Sequence, residues 1–247
     1  MKNEKVWKIA MTGVFAALSY VVFTFLQFKI WLPGGDATSI HFGNAVCVLG
    51  ALILGGVYGG IGGAIGMTIG DLLDPVYVVY APKTFILKFC IGLIAGLIAH
   101  KIGKINEQTD QKQIFKWALL AAIGGLLFNV IFDPLIGYFY KLVLLGKPAA
   151  EVTLSWNVAA TSINAVLSTI ASVVIYMALR PALQKSGLFS QVKAAAKYKF
   201  HLRDIQKSHH VLFRTGDFFH AFLFIFQRWL LPLFLPHLPE WMCSAGI

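Results

Sequence analysis

Long apolar runs, interrupted by short polar stretches, set the pattern of this chain. Residues 43–70 read GNAVCVLGALILGGVYGGIGGAIGMTIG without one charged side chain. A window this long and apolar does not suit an ordinary soluble domain. It predicts two membrane helices joined by a very tight turn. Asp71 and Asp74 follow at once. The remaining runs complete a set of six predicted spans, at 6–28, 42–57, 60–73, 84–102, 115–140 and 152–179. The second and third are short for a crossing and are expected to be tilted or partly re-entrant. The predicted class is an all-α membrane protein: a six-transmembrane-helix bundle over 1–188, followed by an atypical tail at 189–247, basic and rich in aromatics.

Composition strengthens this picture. Of 247 residues, 57% are hydrophobic and only 13% charged, against about 25% charged in soluble domains. The net charge of +10 could point to nucleic acid, but the basic residues gather at predicted helix ends and in the tail, without a continuous basic face. Membrane orientation explains them better, and no nucleic-acid partner is expected. Lys2, Lys5 and Lys8, then Lys101, Lys104 and Lys112, then Arg180 and Lys185 all fall on one side of a six-span chain. The positive-inside rule puts that side, and the N-terminus, in the cytoplasm of a multi-pass cell-membrane protein, with the loops after spans one, three and five facing outward. The basic N-terminus before an apolar run resembles a signal peptide. Bulky Phe23, Phe25 and Phe28 and the lack of a small-residue cleavage site favour a retained first helix. Cys47, Cys90 and Cys243 form no C-x-x-C and indicate neither a disulfide framework nor a zinc site. In the tail, the aromatic run 218–236 could form a seventh or interfacial segment. An ill-packed appendage, or a reading frame extended beyond the true domain, is the plainer expectation, because the run carries Arg228 and Pro232 with no partner in view.

Glycines recur with helical geometry. Gly55, Gly59 and Gly63 are four apart, as are Gly62, Gly66 and Gly70, so each set lies on one helix face. Small residues so spaced let backbones approach closely in lipid, where dispersion packing has to hold helices together. A phosphate-binding G-x-x-x-x-G-K-[ST] is absent from the chain, so it has no visible means of hydrolysing ATP itself. On span one, Gly13 and Ala17 make another small-x-x-x-small pair. It serves either internal packing or docking of a second membrane protein.

Polar residues inside the spans carry the most chemistry. Asp71 stands near the outer end of span three, Lys83 at the mouth of span four and Lys88 further in. Asn129 and Asp133 share a face of span five; Asn157, Thr161 and Asn164 share a face of span six. An ionisable group in hydrocarbon costs roughly 2.5–3.5 kcal/mol on insertion scales, so these groups should turn inward and pair. Two arrangements are open. One is a structural network, Asp71 with Lys88 and Asn129 with Asn164. The other is a polar pocket open to the outside, favoured because loops carrying Asp36, His41, Tyr77, Tyr80 and Trp156 converge on the same end. Such a pocket suits a small polar heterocycle or zwitterion better than a bare ion or a lipid. A hard-metal site at Asp71, Asp74 and Asp133 is disfavoured by the neighbouring lysines. No G-x-S-x-G and no H-E-x-x-H points to catalysis, so a non-enzyme without a cofactor is expected.

The small-residue first helix, the segment Ser39-Ile40-His41-Phe42-Gly43-Asn44, the run GGVYGGIGGAIGMTIGDLLDP and NVIFDPLIGY in span five together resemble the substrate-binding S component of energy-coupling factor (ECF) transporters, nearest the riboflavin-transporter-like branch. The resemblance covers 6–188. It implies a six-helix subunit that captures a small vitamin or vitamin precursor and docks on a transmembrane coupling protein served by two ATPase subunits. It also implies that Gly13 and Ala17 form the docking motif, and that an outward pocket is lidded by the loop after span one, bringing in Asp36, His41 and Asn44. The full set implied for substrate is Asp36, His41, Asn44, Asp71, Lys83, Lys88, Asn129, Asp133, Trp156, Asn157 and Asn164. Cobalt and nickel relatives use a histidine close to the N-terminus, which the opening Met-Lys-Asn-Glu-Lys-Val-Trp lacks. Pyridoxine-like, thiamine-precursor-like, pantothenate and flavin compounds all suit the polar inventory. The alternative function is a self-sufficient secondary transporter or channel for a small polar solute.

Overall fold

The computed structural model describes residues 2–32, 36–146 and 150–185. The predicted tail, 189–247, lies outside the described residues. Helix α1 (Lys2–Phe25) leads into a two-stranded antiparallel hairpin, β1 (Gln27–Leu32) and β2 (Asp36–His41), with Gln27 opposite His41 and Leu32 opposite Asp36. Helices α2 (Gly43–Leu54) and α3 (Gly56–Leu72) follow. A short 3₁₀ turn (Val78–Tyr80) then opens α4 (Ala81–Gly96), which runs out through a π-helical turn, Leu97–Ile102. Helix α5 (Gln111–Phe139) ends in a second π-helical turn, Tyr140–Leu144, and α6 (Ala150–Lys185) closes the described chain.

Four helical stretches are long and apolar enough to cross a membrane: Lys5–Phe25, Val78–Ile102, Gln111–Leu144 and Thr153–Lys185. The expected second and third spans differ from these. Helix α2 has 12 residues, about 18 Å at 1.5 Å per residue, and every one of them is buried. It therefore forms the middle of the bundle, with its neighbours between it and any lipid. Helix α3 has 17 residues. The two helices meet at Gly55, whose φ of +91° is a conformation that L side chains rarely adopt. The tight turn expected between them thus falls at 55, earlier than the predicted boundary, and Tyr58 and Gly59 are already helical.

The bundle is all-α as expected, and the hairpin is an addition to it. Residues 27–32 (QFKIWL) extend the apolar run of α1, so hydropathy alone merges them with the helix. Their aromatic and β-branched side chains suit an extended strand, and Pro33-Gly34-Gly35 in the sequence separates them from β2. Strand β2 is the inner strand, largely buried, whereas Phe28 and Trp31 of β1 are exposed. At the other end of the bundle α6 continues through Pro181 to Lys185, beyond the predicted stop at 179. There the buried Arg180 guanidinium donates to the carbonyls of Ile105 (2.8 Å) and Gln108 (3.3 Å) and to the Tyr176 hydroxyl. It ties the α4–α5 connection to α6.

Helix α3 packs on three neighbours, and its glycines make each approach possible. A Cβ at Gly59 would stand 2.2 Å from the backbone of α2 at Ala51, and one at Gly66 would stand 2.1 Å from the Ala16 carbonyl of α1. Toward α4 both partners are glycine: a Cβ on Gly92 would meet the Gly60 Cα at 2.3 Å. The Ser19 hydroxyl donates to the Gly63 carbonyl at 3.1 Å, fastening α1 to α3. Gly13 contrasts with all of these. It is exposed, as is Ala17, and a Cβ there would meet nothing within 4 Å among the described residues. The face of α1 that packs inward runs through Phe15, Ser19 and Phe23 instead. Gly59→Ala is therefore expected to destabilise the protein by about 1–3 kcal/mol, read as a lower midpoint of thermal unfolding in detergent, while Gly13→Ala leaves it unchanged. Equal midpoints for the two variants would sink this account of the packing.

Candidate functional site

The polar residues of the helices converge beneath the hairpin. Asn129 and Asp133, four apart on α5, present their side chains to Lys88 of α4. The Lys88 ammonium donates to Asn129 Oδ1 and to Asp133 Oδ2, each at 3.0 Å, and Lys83 pairs with the other Asp133 oxygen. Gly137, one turn beyond Asp133, lies beside Lys83: a Cβ there would stand 3.4 Å from the Lys83 ammonium, an ordinary contact. One carboxylate thus holds two ammonium groups. The buried amides and charges are joined as low-polarity surroundings require.

The hairpin is tied down from several elements. Asn164 of α6 accepts the His41 N–H at Oδ1 and donates from Nδ2 to the Ser39 carbonyl, both at 2.9 Å, so its amide meets the edge of β2 as another strand would. Asp36 pairs with Lys141 from the end of α5 and accepts the Tyr80 hydroxyl at 3.0 Å. Lys29 of β1 pairs with Asp74 in the α3–α4 connection, where Asp74 also accepts the Val76 N–H at 3.0 Å. The His41 ring stands edge-on to Phe23, with centroids 4.9 Å apart.

These ties leave a cavity of about 100 Å³ under β2. Of the residues expected to face a solute, His41, Asp71, Lys83, Lys88, Asp133, Asn157 and Asn164 line it. Asn129 and Asp36 stand behind the lining and hold Lys88 and Lys141 in place. Asn44 is buried at the start of α2 and lies outside the lining, as does Trp156, which is 49% exposed. The two pairings foreseen for a purely structural network do not form. Lys88 takes Asp133 and Asn129 in place of Asp71, and Asn164 takes the hairpin backbone in place of Asn129. Asp71 has no ion pair among the described residues; the Thr84 hydroxyl is its hydrogen-bonding neighbour.

Lys141, Thr84 and Met67 also line the cavity and were not foreseen there. For Lys141 a signal existed: Asp133, Gly137 and Lys141 recur every four residues, on one helical face. Thr84 and Met67 left no such signal, because a lone threonine or methionine in an apolar helix reads as packing.

A bundle of apolar helices around a charge-lined cavity, with a polar-tied hairpin across it, defines a membrane protein built around a polar site. The sequence profile of the ECF-type riboflavin transporter, S component, matches residues 3–181. The chain belongs to that family: it is a substrate-binding subunit of an ECF-type transporter, embedded in the membrane, and not an enzyme. No curated protein and no solved structure matches it.

His41 lies in the hairpin, outside the helical spans, and burial pushes its imidazole from 6.5 down to about 3. The nearby Lys88 charge adds to this, and Asp133 opposes it. The folded protein therefore keeps His41 neutral between pH 6.5 and 3, while the unfolded chain takes up the proton. Stability contributed by the neutral ring is complete above 6.5 and is lost as pH falls, at up to about 1.4 kcal/mol per pH unit. Unfolding measured at pH 7 and pH 5 should show this fall in wild type and a smaller one in His41→Gln. Identical falls would remove His41 as its source.

Proposed function

We propose that the cavity under the hairpin captures a small vitamin or vitamin precursor from the outer side of the cell membrane, for uptake driven by partner subunits. The observation that carries this reading is the convergence of Lys83, Lys88, Asp133, Asp71, Asn157 and Asn164 from four helices on one cavity. Buried charge is costly in a bilayer, and a bundle that needed only cohesion could satisfy these groups without leaving a chamber among them. Riboflavin, named in the family's description, is one of the flavin compounds that suit this polar inventory. At about 100 Å³ the chamber holds several waters and lies below the roughly 300–1,000 Å³ usual for drug-sized ligands. A solute of vitamin size would thus enter with displacement of the hairpin, whose ties to Asn164, Lys141 and Asp74 are all polar and exchangeable with water.

The energy would come from a transmembrane coupling protein and two ATPase subunits, with the basic ends of the bundle in the cytoplasm. Gly13 and Ala17 would form the docking face. Their exposure supports this, since close helix approach in lipid favours small residues and, among the described residues, a Cβ at Gly13 would meet nothing within 4 Å. The full set of eleven residues named from the sequence divides accordingly. Those lining the cavity would touch the solute, Asp36 and Asn129 would hold the lysines in place, and Asn44 and Trp156 would act at most from outside the lining.

Solute binding to purified protein, measured by calorimetry, should weaken about tenfold or more in Lys88→Ala and in Asn164→Ala, because each removes hydrogen bonds at a buried charge or amide. Unchanged affinity in both would sink the assignment of the cavity. Gly13→Leu and Ala17→Leu should fold normally yet no longer co-purify with the ATPase complex. Solute uptake into liposomes by this chain alone would instead establish an autonomous transporter.

A further inference from the structure

The cavity's charges are unevenly committed. Of its three lysines, Lys83 and Lys88 both hold Asp133, and Lys141 holds Asp36. Asp71 lines the same space, is only 3% exposed, and has no lysine, arginine or histidine nitrogen within 4 Å among the described residues. Thr84 supplies one hydrogen bond, while a carboxylate offers about four acceptor sites. One further buried atom on the lining, Nδ1 of the neutral His41 ring, lacks a partner among the described residues, and the Tyr77 hydroxyl has Ser39 as its neighbour. His41 and Tyr77 are 6% and 8% exposed.

We infer that Asp71 is the group by which this cavity selects its solute, and that the solute presents to it an N–H donor, neutral or cationic, and carries no carboxylate or phosphate at that end. The inference rests on the solute-capture reading above. An N–H facing Asp71 satisfies a buried acceptor that the protein leaves largely open, which is where binding gains most. An anion meets the reverse situation: every lysine on the lining already holds a carboxylate. To reach Lys83 or Lys88 it must displace Asp133, leaving a buried charge unpaired, and it must do so beside Asp71, a like charge.

The test uses the full chain in lipid nanodiscs and calorimetric titration with three probes. Thiamine is a cation with an aminopyrimidine N–H₂, riboflavin is neutral with an imide N–H, and pantothenate is a carboxylate without a nitrogen heterocycle. The expected result is binding of thiamine or riboflavin at least tenfold tighter than pantothenate, weakened about tenfold or more in Asp71→Asn. Pantothenate binding tightest in wild type overturns the inference whether or not the variant folds, and it leaves the capture reading standing. So does a folded Asp71→Asn that binds thiamine or riboflavin within twofold of wild type. If none of the three binds, the inference falls; if the chain then also fails to co-purify with an ATPase complex, the capture reading falls with it.

Discussion

Charge placed among apolar helices has to be neutralised where it stands, since neither lipid nor a packed core can solvate it. In this protein the requirement is met at Asp133. Its two oxygens take the ammonium groups of Lys83 and Lys88, and Asn129 completes the coordination of Lys88. The cluster joins α4 to α5 and sets the floor of the cavity. A helix pair locked in this way cannot rotate without separating charges, so the polar faces of the remaining helices have a fixed partner to face.

Close packing by glycine makes that cluster reachable. Helix α3 touches α1, α2 and α4 at near-backbone distance, which leaves α2 fully enclosed and draws Asp71, at the end of α3, in beside Thr84 and Lys88. Larger side chains on α3 would hold the helices a side chain's width apart and open the chamber into a cleft. Packing of backbone on backbone therefore controls not only cohesion in the membrane but also the size of the space that a solute could occupy.

The hairpin adds what the helices do not supply. Its inner strand covers the cavity and is bonded to α6 through a single amide, Asn164, and to α5 through the Asp36–Lys141 pair. Polar ties predominate among these contacts, beside the packing of His41 on Phe23 and of Ala37 on Tyr77 and Tyr80, in contrast to the glycine seams below. The cover is thus held in part by interactions that water can replace, while the bundle is held by contacts that it cannot. That division suits a chain of the ECF S-component family, where a solute has to enter a membrane-embedded site.

Much of this architecture was legible in the sequence. Apolar runs of span length mark helices because hydrocarbon admits few other structures, and the four-residue glycine spacing reads directly as helix faces that approach closely. The polar residues at 71, 83, 88, 129, 133, 157 and 164 were also visible as a set, because ionisable and amide groups within such runs must turn inward. Which of them would pair was not visible. Lys88 could face Asp71 or Asp133 by depth alone, and only the placement of α4 against α5 chose Asp133. The hairpin was hidden for a related reason: QFKIWL is as apolar as the helix before it, and its extended form depends on pairing with β2 and on the Asn164 amide 123 residues away. Local sequence determined which segments are apolar helices and where their small and polar faces lie, because periodicity is a property of the chain itself. Tertiary structure alone decided the partners, the cavity and the strand that covers it, because each depends on distances between segments far apart in sequence.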